Sequence, residues 1–344
     1  MSETTPRFTV IMTSNRYNRD MSPEHRILSQ FPDLDVDLRG IPVGDEADLI
    51  ARCQDADALL CSTLETVNRT VLSSLPRLKV VARYGVGLDN VDLDAATDLG
   101  IVVTHFPQYC TAEVADHALS MILALNRRLV EFDRDLRQGA WVQKRFETRQ
   151  ILNHPIPPLR EQTLGIVGFG RIGREVAKRA APFGLTLLVN DPHIDSEEIT
   201  SRGAEPVSLD DLLRRSQIVT VHCPLTPESR ALLGSKQLAA MQPGAILVNT
   251  ARGPIVDLDA LADALTSGHL GGAGLDVVYP EPLPINSPLY TLSNVILTPH
   301  AAYYSERSVE TVRNETLNQA LIALSGRRPA TVANPAVLDR VTLS

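Results

Sequence analysis

Leu164-Gly165-Ile166-Val167-Gly168-Phe169-Gly170-Arg171-Ile172-Gly173-Arg174 is the stretch that decides the fold of this chain. An apolar, strand-like run leads into three glycines spaced Gly-x-Gly-x-x-Gly, and a helix-like segment, Arg174–Ala181, follows. Each glycine answers a physical need. The first permits a tight turn, the second lets backbone approach a pyrophosphate, and the third lets helix pack on strand. The phosphates then face a helix N-terminus, whose free N–H groups and dipole favour anions. Such spacing also occurs in Gly-rich turns of unrelated α/β proteins. Here the next apolar run, Leu187–Asn190, ends at Asp191, about twenty residues on, where an acid can bind a ribose 2′-OH. A carboxylate there repels a 2′-phosphate, and Pro192-His193-Ile194 offers no Arg to receive one, so NAD is expected over NADP. Asp191 also suits a turn ahead of Pro192; both readings hold together.

Working outward, short β-branched runs alternate with helical stretches, the pattern of α/β structure with parallel sheets. After the glycine loop the strands are expected at Thr186–Asn190, Ile218–His222, Ala245–Asn249, Gly272–Asp276 and Val295–Thr298. With Thr163–Val167 that makes six, and helices Gly173–Phe183, Leu209–Arg215, Ser235–Ala240 and Asp259–Ser267 fill the gaps. Before it, a Pro-rich loop at His154–Pro158 follows a long helix expected over Thr111–Leu129, with Thr111 as N-cap. Earlier still lies a first α/β unit. Its strands are expected at Phe8–Met12, Ala58–Cys61, Lys79–Arg83 and Ile101–Thr104, with helices Pro23–Phe31 and Glu46–Cys53. A last helix, Ser305–Leu324, is stopped by Gly326.

Composition narrows the function. The chain has 344 residues, enough for about two domains. A net charge of −8 argues against a nucleic-acid or membrane-surface role, which needs a positive field. Cys53, Cys61, Cys110 and Cys223 form no CxxC pair, so no metal site is expected and reduced cytoplasmic thiols are. The opening MSETTPRFTV carries no apolar signal-type run.

Three further stretches follow successive strands of the unit that the glycine loop opens. Asn249-Thr250-Ala251-Arg252-Gly253 places an Arg beyond a strand end, where open α/β sheets bind ligands. Tyr279-Pro280-Glu281-Pro282 sets a carboxylate between prolines, and Thr298-Pro299-His300 puts a His after the last strand. Singly, each reads as a surface or loop residue. Together they suit reduction of a keto acid. Arg252 can bind the substrate carboxylate and polarise its carbonyl. His300 can deliver the proton at neutral pH. Glu281 can orient that imidazole.

Arg252, Glu281 and His300, in that order after the glycine loop, closely resemble the D-isomer-specific 2-hydroxyacid dehydrogenases. Tyr84-Gly85-Val86-Gly87-Leu88-Asp89-Asn90-Val91-Asp92 is similar to that family's substrate loop. Arg83 and His300-Ala301-Ala302-Tyr303-Tyr304-Ser305-Glu306 resemble the branch of C-terminal-binding proteins, NAD-dependent corepressors, although that branch's usual Trp is Tyr303 here. The resemblance implies two doubly wound parallel-sheet domains: a Rossmann-type cofactor domain, 109–302, inserted into a flavodoxin-like substrate domain, 1–108 and 303–344. It implies a cleft that closes on substrate and a homodimer formed through the cofactor domains. It assigns Arg83, Tyr84, Gly85, Val86, Gly87 and Tyr303 to the substrate. It assigns Gly168, Gly170, Arg171, Ile172, Gly173, Asp191, Cys223, Pro224, Thr250, Asp276, Val86 and His300 to NAD. Two arginines, Arg83 and Arg252, would suit a substrate with a second anionic group. Alternatively Arg83 pairs with Asp89 or Asp92, or joins Arg252 on one carboxylate. The competing expectation for the whole chain is an NAD(H)-sensing, corepressor-like adaptor with little turnover.

Overall fold

A computed structural model describes residues 8–14, 17, 20–141 and 156–344. The expectations for the first seven residues and for His154-Pro155 lie outside that set. The chain divides into two compact units, 1–110 with 305–344, and 111–304. Each junction lies two residues beyond the boundary expected from sequence.

The first unit holds strands β1 (Phe8–Met12), β2 (Val36–Gly40), β3 (Ala58–Cys61), β4 (Val80–Arg83) and β5 (Val102–His105). All pair in parallel, in the order β2-β1-β3-β4-β5, which is the flavodoxin-like winding. Central strands β3 and β4 are buried throughout, as near-continuous apolar runs in a two-sided sheet must be. β2, with the sequence Val-Asp-Leu-Arg-Gly, was not expected. It is an edge strand, half-buried, and too polar to read as a core run. Short helices Arg69–Ser74 and Leu93–Asp98 were also missed. Asn68 and Asp92 cap them, their side chains accepting the amides of Val71 and Ala95.

The C-terminal segment completes this unit. Ser305 caps helix Glu306–Leu324 through a capping box with Ser308. Leu317, Ala320 and Leu321 of that helix pack with Val10, Leu60 and Ala82. Gly326, at φ +75°, ends it as expected. Beyond it, Asn334 Oδ1 accepts the Val103 amide at 2.9 Å, sewing the tail to β5.

The second unit holds β6 (Thr163–Val167), β7 (Thr186–Asn190), β8 (Glu205–Pro206), β9 (Ile218–Val221), β10 (Ile246–Asn249), β11 (Gly272–Leu275) and β12 (Val295–Leu297). Their order, β12-β11-β10-β9-β6-β7-β8, is the Rossmann winding with a seventh strand added at β12. The two-residue β8 and helix Ser196–Ser201 are too short for a periodic signal.

The single helix expected over Thr111–Leu129 is two helices, Thr111–Asn126 and Leu129–Arg137. They part at Arg128, which adopts left-handed backbone at φ +54°. No Gly or Pro announces that break. Thr111 is not a cap but the first helical residue. The longer helix lies close against β11, because Gly272 and Gly274 leave room for Met121 and Leu125. A Cβ on Gly274 would sit 3.0 Å from the Met121 sulfur.

Candidate active site

Every chemically suggestive loop of the second unit leaves the carboxyl end of a strand. The ends of β10, β11 and β12 are in register: Asn249 lies opposite Leu275, and Leu275 opposite Leu297. β6 and β9 are also adjacent, although β7 and β8 intervene in sequence. That reversal of strand order opens a crevice for a ligand.

The glycine loop bridges this switch point. Gly168 has φ +91°, and a Cβ there would lie 2.4 Å from the Cys223 amide nitrogen. The loop after β6 and the Cys223-Pro224 turn after β9 are therefore brought together. A Cβ on Gly173 would strike the Gly168 carbonyl at 2.2 Å, so this glycine serves helix packing. Gly170 is different. A Cβ there meets nothing within 4 Å among the described residues, so no contact with them demands glycine. The demand fits backbone approached by a ligand.

Helix Arg171–Ala180 starts at this point, with its first-turn amides free of intrahelical partners. Asp191 Oδ2 accepts the Phe169 amide at 2.7 Å, and Oδ1 accepts the His193 amide at 2.9 Å. The acid thus both shapes its own turn and clamps the glycine loop. Burial pushes the Cys223 thiol up to about 11, so it stays protonated at neutral pH. Burial of the neighbouring His222 imidazole pushes it down to about 3, leaving it neutral.

Beyond β10, Asn249 shapes the Arg252 loop. Its Nδ2 donates to the Arg252 carbonyl at 2.9 Å, and its Oδ1 accepts the Ala251 amide at 3.0 Å. Arg252 is half-buried, with Nη1 donating to the Ala251 carbonyl at 2.8 Å. Gly253 lets this loop pack on the next, since a Cβ would lie 2.0 Å from the Val278 carbonyl oxygen. Thr250 Oγ1 is buried and has no hydrogen-bond partner among the described residues. Such a hydroxyl fits a polar ligand group.

His300 Nδ1 lies 3.0 Å from Glu281 Oε1 and 3.3 Å from Oε2. A carboxylate only accepts, so Nδ1 carries the proton and Nε2 is left for a ligand. The His300 backbone is left-handed, at φ +53°. A non-glycine residue there carries about 1–3 kcal/mol of strain, and such residues cluster at functional sites. The conformation is held by the His300 amide, which donates to the carbonyls of Asp276 (2.9 Å) and Thr298 (3.0 Å).

Asp276 is 2% exposed and organises this corner. Its carboxylate accepts the amides of Ala301 (2.8 Å) and Ala302 (3.0 Å) and the Thr298 hydroxyl (2.6 Å). Tyr303 follows, half-buried. Sequence reasoning did not single out Asn249 or Thr298, though both stood in quoted motifs. His117, whose Nε2 lies 3.0 Å from Thr298 Oγ1, carried no signal at all: a mid-helix His reads as core.

In the first unit, Arg83 closes β4 and is 3% exposed. Its Nη1 donates to the Tyr84 carbonyl at 2.8 Å. Gly85, at φ +133°, passes directly over it, since a Cβ would lie 1.7 Å from Nη1. Tyr84 is buried against Tyr17, with ring centroids 5.1 Å apart. His105 Nδ1 donates to the Val86 carbonyl at 2.9 Å. The Tyr84–Gly87 loop is thus braced from below by Arg83 and from β5 by His105.

No group of acids, histidines or cysteines suited to a metal is present among the described residues, and no helix among them is long and apolar enough to cross a membrane.

Comparison with known proteins bears on these features together. Residues 119–302 match the family described as D-isomer specific 2-hydroxyacid dehydrogenase, NAD binding domain. The chain is 40% identical over 291 residues to D-3-phosphoglycerate dehydrogenase of Mycobacterium tuberculosis, covering 85% of this chain and 53% of that protein. It spans about half the length of the phosphoglycerate dehydrogenases it matches. It is 38% identical over 294 residues to a glyoxylate reductase of Thermococcus litoralis, covering 84% of this chain and 87% of that one. The structure of D-lactate dehydrogenase from Aquifex aeolicus, complexed with NAD and lactic acid, superposes with a TM-score of 0.80 at 28% identity, covering 97% of this chain and 98% of that one. These likenesses establish the family and leave its corepressor branch a resemblance. With its Rossmann-wound sheet, glycine loop and Asp191, the chain belongs to the D-isomer-specific 2-hydroxyacid dehydrogenases and takes NAD as cofactor.

Proposed function

We propose that the protein reduces a small 2-keto acid to its D-2-hydroxy acid, and runs the reverse oxidation, with Arg252, Glu281 and His300 as its catalytic set. The observation that carries this reading is the His300–Glu281 pair, 3.0 Å apart, on the loops after β12 and β11, the two strands that follow β10 and its Arg252 loop in the sheet. NAD(H), when bound, would supply or accept the hydride. Arg252 holds the substrate carboxylate and polarises the carbonyl. His300 donates a proton from Nε2 to the oxygen that becomes the alcohol, while Nδ1–H stays with Glu281. The overall balance is keto acid, NADH and one proton giving hydroxy acid and NAD. In oxidation, Nε2 takes that proton back.

Gly168, Gly170 and the first-turn amides at Arg171, Ile172 and Gly173 hold the pyrophosphate, and Asp191 the ribose. Cys223, Pro224, Thr250, Asp276 and Val86 are assigned to the remaining cofactor surface. Backbone amides of Tyr84, Gly85, Val86 and Gly87 are assigned to the substrate, with Tyr303. The burial of Arg83 supports a role in bracing that loop. A second anionic group on the substrate would require its guanidinium to be reached.

The test is NADH absorbance with glyoxylate, pyruvate, hydroxypyruvate, 3-phosphohydroxypyruvate and phosphonopyruvate. Turnover above about one per second is expected for at least one acid. Equal efficiency on singly and doubly anionic acids would remove the two-anion reading. Micromolar NADH binding with no turnover on any of them would instead favour the adaptor.

A homodimer through the cofactor-binding unit is part of the proposal. Its support is helix Leu129–Arg137, which buries no residue and exposes Leu129 and Val130, with Trp141 exposed just beyond. Light scattering on wild type and on Leu129→Glu/Val130→Glu tests it; a monomeric wild type would end it. Four cysteines in no disulfide, three of them buried, suit the cytoplasmic setting proposed here.

A further inference from the structure

We infer that His117 and Thr298 are positioning residues, a hydrogen-bond relay from helix Thr111–Asn126 that holds the loop carrying His300. The inference rests on the proposed role of His300. It concerns residues to which neither sequence motif nor family likeness assigned a function.

The direction of the relay follows from the chemistry of its members. Thr298 has one hydroxyl proton. Asp276 Oδ1 lies 2.6 Å away and only accepts, so that proton points to Asp276. Thr298 Oγ1 must then accept from His117 Nε2, 3.0 Å off on its other side. His117 is therefore protonated at Nε2. Its direct distance to Asp276 Oδ1 is 3.8 Å, too long for a hydrogen bond, so Thr298 is the link.

What the relay fixes is the Asp276 carboxylate. Both its oxygens are committed, Oδ1 to Thr298 and the Ala301 amide, Oδ2 to the Ala302 amide. Those two amides immediately follow His300, and the Asp276 carbonyl accepts the His300 amide itself. The left-handed backbone at His300 persists because bonds arrive from both sides. Remove the Thr298 hydroxyl and Asp276 loses one bond, His117 loses its acceptor, and Asp276 can turn. The imidazole would then drift from its place beside Glu281. A displacement of about 1 Å at a reacting group can cost a hundredfold in rate.

The variants are Thr298→Val, which keeps shape and removes the hydroxyl, Thr298→Ser, which restores it, and His117→Phe. Thr298→Val and His117→Phe should each lower kcat by about tenfold or more, with the NADH Kd within about twofold of wild type. Thr298→Ser should recover most of the rate. The double variant should be no worse than the poorer single one, because both break one chain. Nitrogen NMR of the histidine rings should show His117 carrying a proton at Nε2. The Ala301 and Ala302 amide protons should shift in Thr298→Val.

A His117 ring bare at Nε2, unmoved amides, or Thr298→Val turning over like wild type would overturn the relay. So would Thr298→Ser failing alongside Thr298→Val. The spectra need no turnover. If the wild type reduced no keto acid, the dehydrogenase reading would fail while the spectra still decided the relay.

Discussion

The loop after β6 and the loop after β12 leave the same sheet, yet they are held in opposite ways. The glycine loop owes its shape mainly to its own glycines. Gly168 turns where a side chain cannot, Gly173 lets the helix sit down, and Asp191, just beyond the neighbouring β7, clamps the Phe169 amide. The His300 loop has no such internal logic. Its His300, the proposed proton donor, sits in a left-handed backbone region uncommon for any residue but glycine. It is held there by Asp276 from the end of β11, by Glu281 from the following loop, and by His117 from a helix almost two hundred residues earlier. One loop is shaped mainly by its glycines and is the proposed cofactor loop. The other is suspended and carries the proposed proton donor.

That contrast can be broken at several points. His300→Ala should produce the largest effect, a fall in kcat of about 10²–10⁴-fold, with NADH affinity measured by fluorescence nearly unchanged. Equal loss of both would mean that the suspended loop also supports the cofactor.

Gly168→Ala should rank next. Its Cβ would collide with the Cys223 backbone, and its φ is left-handed, so folding and binding should both suffer. Thermal unfolding should fall by several degrees, and the NADH Kd should rise by about tenfold or more. Gly170→Ala sharpens the same point. Open space surrounds it, so stability should hold while NADH binding weakens. If both variants lose stability alike, Gly170 serves the fold and not the ligand.

Glu281→Gln should lower kcat by about tenfold, because an amide can still bond the imidazole but no longer opposes its positive charge. Steady-state rates at saturating NADH check this; a wild-type rate would remove Glu281 from the set.

The smallest effect concerns the thiol beside the glycine loop. With Cys223 pushed up to about 11 by burial, little thiolate exists at pH 8. Alkylation followed by mass spectrometry should be slow there, quicken with rising pH, and slow again when NADH is added. Rapid, NADH-independent modification at pH 8 would place Cys223 away from the cofactor.

Much of the architecture could be read in advance because its signals are local. Apolar runs at Thr163–Val167 and Thr186–Asn190 are strands with the expected bounds, and Leu209–Arg215 and Ser235–Ala240 are helices with theirs. The elements that escaped were short or polar. β2 sits at a sheet edge and mixes Asp and Arg into its run. The break at Arg128 uses neither Gly nor Pro, and its guanidinium pairs with Glu131. Helices Arg69–Ser74 and Leu93–Asp98 did leave a trace, since Asn68 and Asp92 are good caps.

The site divided along the same line. The residue types Arg252, Glu281 and His300 followed from what keto-acid reduction demands, and their places after successive strands were visible in the chain. Asp191 and the glycines were equally visible as candidates, because a phosphate and a ribose call for backbone and one carboxylate at a regular spacing. The ring nitrogen and distance of the expected His300–Glu281 pair, the burial of Arg83 beneath Gly85, and the reach of His117 to Thr298 came only with the fold. Periodicity and turn chemistry are short-range and survive in the one-dimensional sequence. Which oxygen accepts which proton is set by strands brought into register and by a helix laid across their ends, and no local pattern encodes it.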